Sequence, residues 1–185
     1  EFLEKLLKIP CKNRTKWINN IKNKKIKLPF KYKKSNKLKV QDIITTLDKL
    51  IDKENTIFTT GVGNHQMFTA QFIKWTQPHK LLTSGSLGTM GTGLPFAIGA
   101  QLAHPNKNVI LIDGDGSFGM TMTDLQTIME LQLPIKIFVM NDKRQQMVHT
   151  WQKLFFNERY IGTDNTNPDY SKLGSSFGIK TLILD

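Results

Sequence analysis

The run Val109-Ile110-Leu111-Ile112-Asp113 constrains the fold of this chain more than any other stretch. A continuous apolar, β-branched run is what a strand buried on both faces requires, and such strands belong to parallel sheets covered by helices on both sides. The run stops at Gly114-Asp115-Gly116. Thr121 with Asp124 three residues later predicts a helix start, and the helix pattern continues through Ile128 and Leu131 to Pro134. A second apolar run at 135–140 ends in Asn141-Asp142. Strand, helix and strand in that order form a βαβ unit, whose strands are parallel and whose crossover is right-handed. Both polar clusters therefore fall on the same edge of the sheet.

Upstream, Val40, Ile43, Ile44, Leu47, Leu50 and Ile51 recur at helical spacing, and residues 56–60 read as a strand that stops at Gly61-Val62-Gly63. A helix is predicted from Gln66 to Trp75, a short strand from Lys80 to Thr83, and an apolar helix from Leu94 to Leu102 inside a segment dense in glycine. The expected fold is α/β, an open and mostly parallel doubly wound sheet with helices on both faces. That domain is expected to span residues 39–185. Residues 1–38, a short amphipathic helix, a basic connection and the turn-prone Leu28-Pro29-Phe30, read as a linker or the end of a preceding domain. No tandem repeat is visible, which removes solenoid folds.

The net charge of +11 invites a nucleic-acid reading, but its distribution argues against one. Residues 1–40 hold 14 Lys or Arg against Glu1 and Glu4, so that segment carries +12 and the remainder −1. A Lys-rich segment can contact phosphates, yet here the lysines alternate with Asn and lack the aromatic platforms of a single-strand binder. A solvated linker is the better reading, and no nucleic-acid partner is expected. Apolar runs are too short for a membrane-crossing helix of about 20 residues. The single cysteine, Cys11, excludes an internal disulfide framework, fits a reducing compartment and is read as a packed or idle thiol. The chain opens on Glu1 with no leader pattern, so any targeting signal is expected upstream.

Ligands of open parallel sheets bind outside the carboxyl ends of the strands. Asp115 ends one strand, and Asn141 with Asp142 ends the next. Hard oxygen donors so placed could share one Mg²⁺, which completes its octahedron with phosphate oxygens and water. Gly114 and Gly116 permit close backbone approach, and amides near Ser117 could face an anion. Asp-Gly and Asn-Asp are also ordinary turn sequences, and a histidine such as His65 or a tryptophan such as Trp151 is as readily structural. The 24 residues between Gly116 and Asn141 fit one crossover helix and one strand.

Gly114-Asp115-Gly116 followed at this interval by Asn141-Asp142 resembles the Gly-Asp-Gly…Asn-Asn signature of thiamine-diphosphate enzymes. Three further stretches resemble acetolactate (acetohydroxyacid) synthase, the fungal-type catalytic subunits most closely. They are Thr59 to Met67, Thr83 to Gly91, and Met147-Val148-His149-Thr150-Trp151-Gln152. The resemblance implies thiamine diphosphate and Mg²⁺ as cofactors, with Asp115, Asp142 and the backbone carbonyl of Arg144 on the metal. Asn64, His65, Gly114, Gly116 and Ser117 would hold the diphosphate. Gly88 and Met90 would contact the aminopyrimidine, while Met147 would contact the cofactor and, with Trp151, line the substrate channel. The implied reaction is decarboxylation of pyruvate and carboligation to a second 2-ketoacid, in branched-chain amino-acid biosynthesis. FAD in the full-length enzyme, a homodimer or higher homo-oligomer, a possible regulatory subunit and a mitochondrial or plastid location are implied with it. A pyruvate oxidase, a glyoxylate carboligase or a non-catalytic degenerate homologue would share parts of the pattern.

Asp142 stands where the family has Asn, which adds an anion beside a diphosphate. Gln146 stands where Gly is usual, and Asn64 where Gln or Glu is usual. No catalytic residue is expected in this chain, because the family's activating glutamate belongs to an N-terminal domain of the partner subunit. A further helix and closing strand are expected beyond Asp185, so an unpaired strand edge is anticipated. The 185-residue polypeptide alone is predicted to make no acetolactate. A colorimetric acetolactate assay on the purified chain checks this, and detectable product contradicts it.

Overall fold

A computed structural model describes residues 2–10 and 12–184, so the reading of Cys11 lies outside the described residues. Backbone contacts divide the chain into two units, Glu1–Lys33 and Lys34–Asp185. The first contains α1 (Phe2–Leu7) and α2 (Thr15–Lys27), neither with a buried residue. Its lysines crowd α2, and no acidic residue occupies the first turn to complement the helix dipole.

The second unit opens with α3 (Val40–Leu50), then β1 (Thr56–Thr60), α4 (Asn64–Phe72), β2 (Leu81–Leu82) and α5 (Gly93–Ala103). It continues with β3 (Asn108–Gly114), α6 (Asp115–Phe118), a 3₁₀ turn at Met122–Asp124, and α7 (Leu125–Glu130). The last elements are β4 (Lys136–Met140), α8 (Gln146–Phe155) and α9 (Tyr170–Ser176). All four strands are parallel, in the order β2-β1-β3-β4. The expected α/β fold is therefore present. Because β2 lies on one side of β1 and β3 on the other, the strand order reverses between β1 and β3, where such sheets form their binding crevice.

Strand alternation explains the two cores. Ile57, Val109 and Leu111 face one way and pack with Leu94, Ala97 and Ile98 of α5 and with Phe118, Leu125 and Ile128. Phe58, Ile110 and Ile112 face the other way, against Ile44 of α3 and Ile73, with Phe68, Phe72 and Trp75 around them. The run at 109–112 is apolar without interruption because both sides of β3 are covered, all four residues being buried. β2 and β4 form the edges of the sheet among the described residues.

Several boundaries differ from the sequence reading. α4 begins two residues before Gln66, because the Gly63 carbonyl accepts from the N–H groups of Gln66 and Met67. It ends at Phe72 rather than Trp75, since the next backbone N–H beyond Ile73, that of Lys74, donates to the Asp48 carboxylate at 2.7 Å. Thr121 does not cap a helix with its side chain; its hydroxyl donates to the Gly91 carbonyl at 2.8 Å. The crossover accordingly runs through α6, the 3₁₀ turn and α7 instead of one continuous helix.

Leu111 is fully buried in the central strand. Leu111→Ala should destabilise the protein by about 2–5 kcal/mol, the usual span for a buried Leu→Ala change. The midpoint of urea unfolding reports it.

Candidate functional site

The register of β3 against β4 pairs Gly114 with Met140, so Asp115 and Asn141 are the next residue beyond each strand. Asp115 is buried, Asn141 and Asp142 are exposed at the rim. One amide ties the two strand ends together: Asn167 Nδ2 donates to Asp115 Oδ2 at 2.5 Å and to Asn141 Oδ1 at 2.8 Å. Asn165 Nδ2 adds a longer bond to Asp115 Oδ2, 3.3 Å, and the Tyr170 hydroxyl donates to the Asp115 carbonyl at 3.3 Å. Asp142 folds back on its own turn, with Oδ1 accepting from the Arg144 backbone N–H at 3.2 Å.

Asp142 lies at the surface, yet its carboxyl is held above the ordinary carboxylate range. Loss of hydration to the surrounding loop is the first cause, the negative field of Asp115 the second, and the Arg144 backbone N–H opposes both. The Tyr170 phenol is pushed up to about 12 by burial and then by the charges of Asp115 and Asp113. Two carboxylates close enough to perturb one another are what a divalent cation would relieve. Among the described residues no group of three or more His, Cys, Asp or Glu is arranged to hold a metal by itself. A cation here would take the rest of its shell from carbonyls, phosphate or water, as Mg²⁺ does.

Beside the acidic pair, bare backbone forms the floor of the switch point. A Cβ on Gly61 would collide with Asp113 and Ser117, one on Gly93 with the Gly61 nitrogen and Asp113, and one on Gly114 with the His65 ring at 2.8 Å. His65 is buried between these backbones, its Nε2 3.2 Å from Asp113 Oδ1 but out of line for a hydrogen bond. Asp113 is fully buried; Oδ1 accepts from the Gly114 N–H at 2.9 Å and Oδ2 has no partner. Above Gly116 sits the Gln145 carboxamide, in the space a side chain would need.

The sequence-predicted residues divide into those at this edge and those arranged otherwise. Asn64 donates to Thr150 of α8 at 3.2 Å, while its Oδ1 is buried without a partner. Ser117 is buried and its hydroxyl oxygen accepts from the Gly91 N–H at 3.0 Å, which leaves the hydroxyl proton and the backbone N–H as donors for an anion. That bond and the one from Thr121 grip both backbone groups of Gly91, which anchors the loop carrying Gly88 and Met90. Gly88 has φ +64, a conformation that favours glycine, and approaches Val62 at the end of β1. Gln146 is the first residue of α8 and is not among the residues with positive φ, so the glycine it replaces is not required for backbone conformation. The left-handed residue of this turn is Lys143, at φ +58. Met147 is half-buried on α8, whereas Trp151 is exposed and stacks on Phe155 at 4.8 Å.

Asp113, Gln145, Asn165, Asn167 and Tyr170 were not singled out from the sequence. Asp113 reads there as the last residue of a strand. Only tertiary structure brings Asn165, Asn167 and Tyr170 to Asp115.

Residues 61–185 match the family "Thiamine pyrophosphate enzyme, C-terminal TPP binding domain". The chain belongs to that family. It is 45% identical over 183 residues to acetolactate synthase, mitochondrial, of Schizosaccharomyces pombe, covering 96% of this chain and 27% of that protein. To the mitochondrial acetolactate synthase catalytic subunit of Saccharomyces cerevisiae it is 45% identical over 178 residues, 94% of this chain and 26% of the relative. The Escherichia coli isozyme 2 large subunit is 50% identical over 136 residues, 72% of this chain and 25% of that subunit. The chain thus spans about a quarter of the length of these relatives.

The raised Asp142 carboxyl sets a stability expectation. A group whose folded pKa exceeds its unfolded value favours folding at acid pH and loses that contribution as pH rises through the folded value. In metal-free protein at neutral pH, Asp142→Asn should therefore raise the thermal midpoint, and the gain should vanish below the ordinary carboxylate range. Thermal melts of both proteins across pH check this.

Proposed function

We propose that this chain is the cofactor-holding domain of an acetolactate synthase catalytic subunit. The protein containing it would decarboxylate pyruvate and join the two-carbon remainder to a second 2-ketoacid, giving 2-acetolactate or 2-aceto-2-hydroxybutyrate for valine, leucine and isoleucine synthesis. The observation that carries this reading is the meeting of Asp115 with Asn141-Asp142 beyond adjacent parallel strands. It does so beside a glycine-floored crevice, in a chain 45% identical to two fungal enzymes of that name.

The residues fit the cofactor. Their donors are hard oxygens suited to Mg²⁺, and Gly61, Gly93 and Gly114 line the crevice with bare backbone where a Cβ would collide with its neighbours. Asp115, Asp142 and the Arg144 carbonyl would hold Mg²⁺. The diphosphate would lie against Asn64, His65, Gly114, Gly116 and the Ser117 N–H. Gly88 and Met90 would bear on the aminopyrimidine from a loop fixed at Gly91, which fits a bent cofactor. Met147 and Trp151 on α8 would flank the incoming ketoacid. Thiamine diphosphate, when bound, supplies the carbanion equivalent that decarboxylation of a 2-ketoacid requires. The chain's own part is to grip and aim, so its contribution is positional.

Residues 1–38 would then connect residues 39–185 to a preceding domain. Catalysis would need a glutamate from the N-terminal domain of a partner subunit, in a homodimer or larger assembly. FAD would bind outside this chain, a regulatory subunit would modulate activity, and the compartment would be mitochondrial, as the names of two fungal relatives suggest. No described helix is long and apolar enough to cross a membrane.

Full-length protein supplied with thiamine diphosphate, Mg²⁺, FAD, pyruvate and 2-ketobutyrate should yield both acetohydroxyacids by chromatography. Asp115→Asn should lower the rate by more than ~100-fold, beyond what loss of an outer-shell partner costs. Acetyl phosphate, tartronate semialdehyde or no product in place of acetohydroxyacids would overturn the reading.

A further inference from the structure

We infer that Asn167, assisted by Asn165, is a positioning residue for the cation, an amide latch that aims Asp115 without neutralising it. The inference rests on the metal site proposed above and assigns a role to the segment 163–167. A side-chain amide carries two N–H bonds, and Asn167 uses one on the end of β3 and the other on the end of β4. It thereby sets both the orientation of Asp115 and the distance from Asp115 to the Asn141-Asp142 turn. Both amide bonds to Asp115 fall on Oδ2, and among the described residues no hydrogen bond reaches Oδ1. One oxygen is fixed and the other is left for a cation. A lysine or arginine at the same place would hold the carboxylate equally well but cancel the charge a divalent ion needs; a neutral amide does not.

The latch is itself held at both ends. Gln145 N–H donates to the Thr163 carbonyl at 2.7 Å, Asn165 N–H donates to the Lys143 carbonyl at 2.8 Å, and Arg144 pairs with Asp164 at 3.0 Å. Thr163 is buried. On the other side, Pro168 restricts the backbone of Asn167 to extended conformations, and the Asp169 carboxylate caps α9 by accepting from Ser171 and Lys172. Tyr170, next in line, packs edge-on against Phe118 at 5.7 Å. An amide fixed by backbone pairing before it and a capped helix after it is organised before any ion arrives, which is what outer-shell groups contribute to metal affinity.

The test is the Mg²⁺ concentration needed for thiamine diphosphate to quench tryptophan fluorescence in the full-length protein, with the thermal midpoint of metal-free protein measured alongside. Asn167→Ala should raise the half-saturating Mg²⁺ about 10- to 100-fold, with a smaller rise for Asn165→Ala and little change in the metal-free midpoint. Asn167→Ser, which retains one donor, should fall between wild type and alanine and serves as the test where alanine does not fold. An unchanged Mg²⁺ requirement in a folded Asn167 variant overturns the latch while leaving the metal site standing. Mg²⁺-independent quenching in wild type, or none that Asp115→Asn abolishes, overturns the metal site and the latch together.

Discussion

Parallel pairing of β3 with β4, in the register that sets Gly114 opposite Met140, is the constraint on which the rest of the structure depends. Two carboxylates reach one edge only because both strands run the same way and stop level with each other. A slip of one residue would turn every side chain of β4 to the other face, moving Ile137 and Val139 off the α7 and α9 side and taking Asn141 out of reach of Asn167. The apolar alternation that fills two cores therefore also fixes the position of the polar residues beyond the strands. Core and site are set by the same register.

The edge so formed is made of groups that a stable core would avoid. Asp113 is fully buried with one oxygen unpartnered, and the His65 ring lies against two glycine backbones. Burying a polar atom without a hydrogen bond costs on the order of 1–3 kcal/mol in proteins, so this arrangement persists because the surrounding sheet and helices over-determine it. Gly61 and Gly93 are part of that over-determination: their missing side chains let the start of α5 close on the end of β1 directly over Asp113. Buried polar atoms left without partners at a topological switch point are groups that a ligand could satisfy.

Much of this was legible in the sequence, for local reasons. The run at 109–113 could only be a strand covered on both faces, and the interval to Asn141 left room for one crossover. Where reading failed, a longer-range partner had intervened. α4 stops at Phe72 because Asp48 on α3 takes the Lys74 N–H, and Thr121 gives its hydroxyl to Gly91, thirty residues upstream, instead of capping a helix. Asn165 and Asn167 were illegible because Asp-Asn-Thr-Asn-Pro is turn chemistry by composition, and nothing local shows that the turn lies fifty residues on, against Asp115.

The central claim is that Asp115 and Asp142 serve a single ion. Crystals of the full-length protein grown with thiamine diphosphate and Mn²⁺ in place of Mg²⁺ would locate that ion by its anomalous signal. The account predicts one manganese bound by a carboxylate oxygen from each residue at about the 2.0–2.1 Å typical of the Mg²⁺ it replaces, with Asn167 still on Asp115 Oδ2. Manganese held by only one of the two carboxylates, or bound away from the ends of β3 and β4, would contradict it.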